Sequence, residues 1–464
     1  MTATLARLLA AAKQRGATTF SALRYRNYRL WFLGQTISLM GTWMQSVAQQ
    51  VVVYLLTDHS KIALGTISFA GSIPTLFLML PAGALADRFN KRRILLATQS
   101  AMMLFALVLA ALVATGVVQF WHIVLLATAL GIANSFDAPT RQALAVELVE
   151  DRRDLMNAIA LNSMMLNLAR IVGPAAAGLI LAFLHPAWCF VLNGVSFLAV
   201  ILALLRMRMP EGRPPLQAEP LTVQLRAGLK YIGGHTVVRT IIALVAVSSI
   251  FGFSYSVLLP AFAIDLLHIG ESGVGLLQTA VGIGAVGGAL GVASLGRSRR
   301  KGLLLAAGSL LFPAAVLGLA FSPYLSLALL SLALAGFGFV TQNSTSNTLI
   351  QTIVPDQLRG RVMGVYMMMF FGTTPLMSLL AGGLAQWLGP SWATAFGALV
   401  SLAFALGVQV AVPDLRQEET APPPPSPTPA TGEPAAASPP RFSGKTLPQP
   451  ARTGCCKVRR KTLP

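Results

Sequence analysis

The chain has 464 residues, of which 55% are hydrophobic and 11% charged, with a mean hydropathy of +0.67. That is more apolar surface than a water-soluble globule can hide, so the composition excludes a soluble fold and requires a bilayer. The net charge of +19 would suit nucleic acid, but the cations cluster in short breaks between apolar runs, which assigns them to membrane topology and leaves no nucleic-acid partner.

Residues 1–27 are a basic cytoplasmic leader with no short apolar core and cleavage site before Tyr28, so no cleaved signal peptide is predicted. Apolar stretches of about 20 residues, enough to cross roughly 30 Å of hydrocarbon, then recur. They fall at 28–56, 62–86, 94–115, 121–141, 155–183 and 188–205, and again at 238–264, 273–296, 302–320, 325–350, 362–388 and 391–412. The predicted fold class is therefore all-α integral membrane, with twelve transmembrane helices in two pseudo-symmetric six-helix bundles, 28–205 and 238–412. A cytoplasmic linker, 206–237, joins them, and a disordered Pro-rich cytoplasmic tail, 413–464, follows. The leader and the breaks after even-numbered spans hold 25 Lys and Arg; the opposite breaks hold one, Lys61. By the positive-inside rule both termini are cytoplasmic, and the predicted location is the cytoplasmic (inner) membrane.

In span one, Gln35, Ser38, Thr42, Gln45, Ser46 and Gln49 fall within an arc of about 100° at helical spacing. Lipid rejects such a face, so it lines water or substrate, or else hydrogen-bonds a neighbouring helix. After span two comes Gly83-Ala84-Leu85-Ala86-Asp87-Arg88-Phe89-Asn90-Lys91-Arg92-Arg93. Topology explains its cations but not Asp87, which ends a helix whose own dipole disfavours a carboxylate. Asp87 needs a partner: Arg88, the loop cations, or the N-terminus of a helix such as the one beginning near Val362.

Span four ends in Asp137-x-Pro139-x-Arg141, and span five carries Ser163, Asn167, Arg170 and Pro174 on one stripe. Arg170 is the one Lys or Arg deep within a span, and an intramembrane cation wants an anion. Asp137 is one candidate. Arg141 competes for Asp137 if the helix survives Pro139. Burial raises a carboxyl pKa and a nearby Arg lowers it, so Asp137 can exchange a proton as its neighbours move, or can serve as a static bridge.

The linker holds Pro210, Pro214, Pro215 and Pro220 and then an amphipathic stretch around Leu221–Tyr231. Beyond it, Phe251, Phe253 and Tyr255, the polar run Thr341–Thr348 with Gln342, and Tyr366–Phe370 suit either apolar ligands or helix packing. Gly131…Asp151 overlays Gly336…Asp356, placing Asp137 on Gln342. Gly282-x-Gly284-x-x-Gly287 matches a dinucleotide fingerprint but lies inside span eight, where it reads as close helix packing. The five His form no local metal motif, the three Cys imply no disulfide framework, and no enzyme motif appears. No cofactor or metal is predicted. The tail's Cys455–Lys461 end is either a contact for anionic lipid or merely solvated.

Twelve spans in two sixes, with Gly83-x-Leu85-Ala86-Asp87-Arg88 before Lys91-Arg92-Arg93, resemble the loop 2–3 signature of the major facilitator superfamily. The lead-in Arg24-Tyr25-Arg26-Asn27-Tyr28-Arg29, with Gly34-Gln35 and Gly41–Gln45, resembles its drug:proton antiporter branch, which includes the enterobactin exporter and macrolide-efflux-like proteins. Gly173, Pro174 and Gly178 resemble the antiporter helix motif without its paired glycines. Asn90 stands where the family has a second glycine, a substitution suited to a positive φ. The resemblance implies alternating access, a cytoplasmic gate at Asp87 and Arg88, and outward movement of an amphipathic or hydrophobic small molecule against inward protons. Asp137 would carry the proton, with Arg170 or Arg141 as partner. Expected partners are the small-molecule substrate, protons and membrane lipid, in a monomer. Rival readings are a narrow siderophore or lysolipid exporter and a non-transporting sensor or scaffold.

Overall fold

The structure, a computed structural model, describes residues 21–149, 151–207, 221–295 and 301–413. Among these residues every regular element is helical. A 3-10 turn, Ser21–Arg24, leads into α1 (Arg26–Leu56), α2 (Lys61–Arg88), α3 (Lys91–Ala114), α4 (Phe120–Glu147), α5 (Arg152–Phe183) and α6 (Ala187–Arg206). α7 (Leu221–Gly234) precedes α8 (Thr236–Ile250), which continues through a 3-10 turn into α9 (Tyr255–Ala261) and a π-helical turn, Phe262–Leu266. The chain goes on through α10 (Gly270–Ser294), α11 (Lys301–Ala320), α12 (Leu325–Ile353), α13 (Asp356–Gly372) and α14 (Thr374–Ala411). The linker prolines and the tail with Cys455 and Cys456 lie outside the described residues.

Among the described residues, ten helical segments are long and apolar enough to cross a membrane. α1 is not one of them, although it has 31 residues, because its glutamines, serines and threonines dilute the apolar run. The last segment, Asp356–Ala411, spans 56 residues, far more than the ~20 that one crossing needs. It breaks at Gly389, whose φ of +82° is left-handed backbone that glycine adopts freely, and Pro390 follows. Residue 90 differs from expectation: Asn90 has φ −65° and works as an N-cap, its side-chain oxygen accepting from the Arg92 and Arg93 N–H groups at 3.0 and 3.3 Å. An orphan-donor problem at the start of α3 therefore places Asn here, and no positive φ is involved.

The ends of the helices define two faces. At the basic face, the start of α3 meets the ends of α4 and α6: Lys91 Nζ lies 2.9 Å from Glu147 Oε1, and Arg92 donates to the Leu205 carbonyl at 2.8 Å. At the opposite face, Lys61 at the start of α2 donates its backbone N–H to Gln386 of α14 at 3.1 Å.

The helices up to α6 and those from α8 onward touch chiefly along two seams, α2 with α14 and α5 with α10, with smaller contacts of α2 with α9 and α13 and of α1 with α9 and α10. Both are built on glycine toward the opposite face. A Cβ on Gly275 would lie 2.5 Å from the Pro174 carbonyl and 2.6 Å from the Gly178 nitrogen, and one on Gly65 would lie 2.5 Å from the Ser378 carbonyl. Nearer the basic face, a Cβ on Gly83 of α2 or on Gly364 of α13 would meet nothing within 4 Å among the described residues. Ser163 and Met156 on α5 are exposed there. The two halves are thus joined at the opposite face and part toward the basic one. The glycine fingerprint of α10 does pack, with Gly284 against the Ala333 backbone and Gly288 against that of Phe337 in α12.

Candidate functional site

α4 remains helical through Pro139, which brings Arg141 one turn beyond Asp137 on the same side. Asp137 is 1% exposed. Its Oδ1 accepts from Thr98 Oγ1 at 3.1 Å and from Gln99 Nε2 at 2.8 Å, both on α3. Its Oδ2 lies 3.7 Å from Arg141 Nε and has no hydrogen-bond partner among the described residues, and Gln99 Oε1 is also buried without one.

The expected partnership of Asp137 with Arg170 is not formed; Arg141 takes that place. The Arg170 guanidinium lies 5.3 Å from the Trp43 ring centroid, on α1, and interacts electrostatically with Tyr255. Gly173, one turn on, lets α5 approach α1 closely: a Cβ there would sit 2.5 Å from Trp43 Cβ. Gly178, beyond Pro174, instead faces α10, 2.9 Å from the Ser272 carbonyl by the same measure. Asn167 donates to the Ser163 carbonyl of its own helix at 2.9 Å.

The polar arc of α1 divides. Gln45 is buried and accepts from Asn193 Nδ2 of α6 at 2.6 Å, Gln35 is buried as well, Gln49 is half-buried, and Thr42 and Ser46 are exposed. The flank toward α6 is thus helix-to-helix bonding. Gln342 is 0% exposed and donates to Ser248 Oγ at 2.9 Å and to the Leu244 carbonyl at 3.3 Å, so it fastens α12 to α8. Tyr255, at 1% exposed, lies in an aromatic cluster with Phe253 and Phe312 rather than on an open wall.

In the gate motif, Asp87 and Arg88 form the last turn of α2, but their side chains lie outside the described residues. Lys91 and Arg92 are spent within the first half, on the ends of α4 and α6, where a cation complements a helix C-terminus. Arg93 is exposed. The aromatic and basic lead-in docks on the start of α5: Arg24 and the Tyr25 hydroxyl reach Asp154 Oδ2 at 2.5 and 2.9 Å, and the Tyr28 hydroxyl donates to the Ala158 carbonyl at 2.9 Å.

Sequence reasoning missed a cluster on the opposite face. Asp265, in the π-helical turn after α9, accepts from the Tyr54 hydroxyl, lies 3.3 Å from Lys61 Nζ, and accepts from His59 Nδ1 at 2.8 Å. The Tyr54 and His59 rings stack at 4.9 Å. Asp58 and His59 have φ of +50° and +62°, an uncommon backbone for non-glycine residues that surrounding contacts must hold. One carboxylate thus ties α1, the α1–α2 turn and α2 to the second half. Lys61, the lone cation on that side, was the available signal.

Residues 17–436 match a family described as transmembrane secretion effectors, MFS_3. The chain is 28% identical over 359 residues to the Staphyloferrin A transporter of Staphylococcus aureus, covering 76% of this chain and 88% of that one. It is 31% identical over 348 residues to the Multidrug efflux pump Tap of Mycolicibacterium fortuitum, covering 72% and 83%. To the Enterobactin exporter EntS of Citrobacter koseri it is 26% identical over 408 residues, covering 87% and 95%. Among solved structures, an inward-facing, occupied bacterial homologue of the human lysosomal transporter Spinster superposes with a TM-score of 0.67 at 14% identity, covering 84% and 98%. At that identity the likeness shows the fold alone. The chain belongs to the transmembrane secretion effectors of the major facilitator superfamily, a family of multi-pass membrane transporters and not of enzymes.

Proposed function

We propose that the protein is a proton-driven exporter of small molecules that works by alternating access. The observation that carries this reading is the asymmetry between faces: the two halves are clamped together around Asp265 and parted toward the basic face. Taking the basic face as cytoplasmic, this is a conformation that receives substrate from the cytoplasm. Counting α1 and dividing the last segment at Gly389 gives twelve crossings, in bundles at 28–205 and 238–412, with both termini cytoplasmic in the inner membrane. The relatives named for siderophores and for multiple drugs make both substrate classes candidates. Asp137 is the proposed proton carrier, because it is a buried carboxylate beside Arg141 with one oxygen unpartnered among the described residues. The protein acts as a monomer.

The test is substrate flux in inverted membrane vesicles. Energised flux that stops when the proton gradient is collapsed supports coupling, and flux that continues unchanged refutes it. Asp137→Asn is expected to lose gradient-driven flux while retaining substrate exchange; an Asp137→Asn variant with normal driven flux removes Asp137 as the carrier.

A further inference from the structure

We infer that Arg170 is the binding site for an anionic group on the transported molecule, so that the cargo class is amphipathic small molecules bearing a carboxylate. This rests on the transport reading above and adds the chemistry of the cargo. Arginine stays charged in proteins, and α5 is 32 residues long, so Arg170 lies about 27 Å along it from the basic end and about 20 Å from the other, at 1.5 Å per residue. Such a cation deep in a membrane segment is costly and ordinarily pairs with an anion or lines water.

Among the described residues nothing supplies that anion. Among the described residues Arg170 makes no hydrogen bond and no ion pair; its neighbours are the Trp43 ring and Tyr255. The acids that reach into the helical region are already paired: Asp137 with Arg141, Asp154 with Arg24, Asp265 with Lys61 and His59, and Glu147 with Lys91. Arg170 is therefore a deep cation that none of these acids neutralises. Its side chain is half-buried, so part of it is open to accessible space.

The same stripe of α5 carries exposed Ser163 and half-buried Asn167. A Cβ on Gly282 of α10, in the other half, would lie 2.8 Å from the Arg170 carbonyl, so the residue stands beside the α5–α10 seam. Trp43 backs one face of the guanidinium and leaves its edge donors free. A planar fork of donors matches the two oxygens of a carboxylate, and the apolar surroundings take the rest of an amphipathic molecule.

The experiment uses the full chain in lipid nanodiscs and two fluorescent probes of one size, dansyl-leucine and the uncharged dansyl-leucinamide. Wild type is expected to bind the acid about tenfold or more tightly than the amide, the scale of one charge-assisted pair. Arg170→Gln is expected to erase the preference by weakening the acid about tenfold or more relative to the amide, and Arg170→Lys to keep part of it. In wild type alone, the acid should raise the melting temperature and the amide should not, which tests the inference even if Arg170→Gln fails to fold. Equal affinity for the two probes, absence of binding by the acid, or a preference that survives in Arg170→Gln overturns it. Binding is read without a gradient, so a failure of proton-driven flux is distinguishable from a failure of the anion site.

Discussion

The two faces of the protein use ion pairs differently. At the basic face, Lys91–Glu147 and Arg24–Asp154 join elements of the first half to one another, and Arg141–Asp137 lies within α4. At the opposite face, a single carboxylate, Asp265, collects His59, Lys61 and the Tyr54 hydroxyl from the other half of the chain. Many charges at one end therefore stiffen a bundle, while few at the other hold two bundles together. Charge abundance and charge leverage are opposed here, because only a contact that crosses between halves changes energy when they move.

The strongest way to break this comparison is steric. Gly275→Ala puts a methyl group against the Pro174 carbonyl and the Gly178 backbone, at 2.5 and 2.6 Å, where no flexible side chain can yield. Overpacking of this kind costs about 1–3 kcal/mol, and here the cost falls only on the arrangement closed at the Asp265 face. Spin labels on Ile62→Cys and Trp387→Cys, at exposed sites near that face, should then report a longer-distance population enlarged about fivefold to 100-fold. An unchanged distance distribution refutes the seam. Asp265→Asn should move the same labels in the same direction by less. Its carboxylate is 25% exposed, so screening limits the loss to about 1–2 kcal/mol.

The fold was legible because apolar length and loop charge report on the bilayer directly. The site was legible only in part. Asp137 could be singled out as a buried acid, and its choice of Arg141 over Arg170 turned on whether α4 survives Pro139, which the pentapeptide alone does not decide. The arc on α1 showed that one side is polar but not where α6 ends and open space begins; Asn193, 148 residues away, draws that line at Gln45. Gln342 and Tyr255 looked like cavity residues because a polar or aromatic side chain in a span has two uses, and packing claimed both. Asp265 was hidden for a similar reason: its partners lie more than 200 residues earlier, and a π-helical turn carries no composition of its own.

Two smaller predictions sharpen the contrast at the basic face. Lys91→Ala removes a pair whose acid is 51% exposed, so stability should fall by less than about 1 kcal/mol, and the Ile62–Trp387 distances should not change. A shift in those distances would mean that the basic-face pairs also bear on the movement of the halves. The smallest effect is expected from Gly83→Ala, the counterpart of Gly275→Ala in the same kind of helix. A Cβ at Gly83 meets nothing within 4 Å among the described residues in this conformation, and alanine favours a helix by about 1 kcal/mol over glycine. Melting should therefore be unchanged or slightly higher while the basic face is open. If Gly83→Ala nonetheless slows flux, the clash arises only when α2 closes against the other half, and residue 83 lies on a seam that forms at the basic face as the Asp265 face opens.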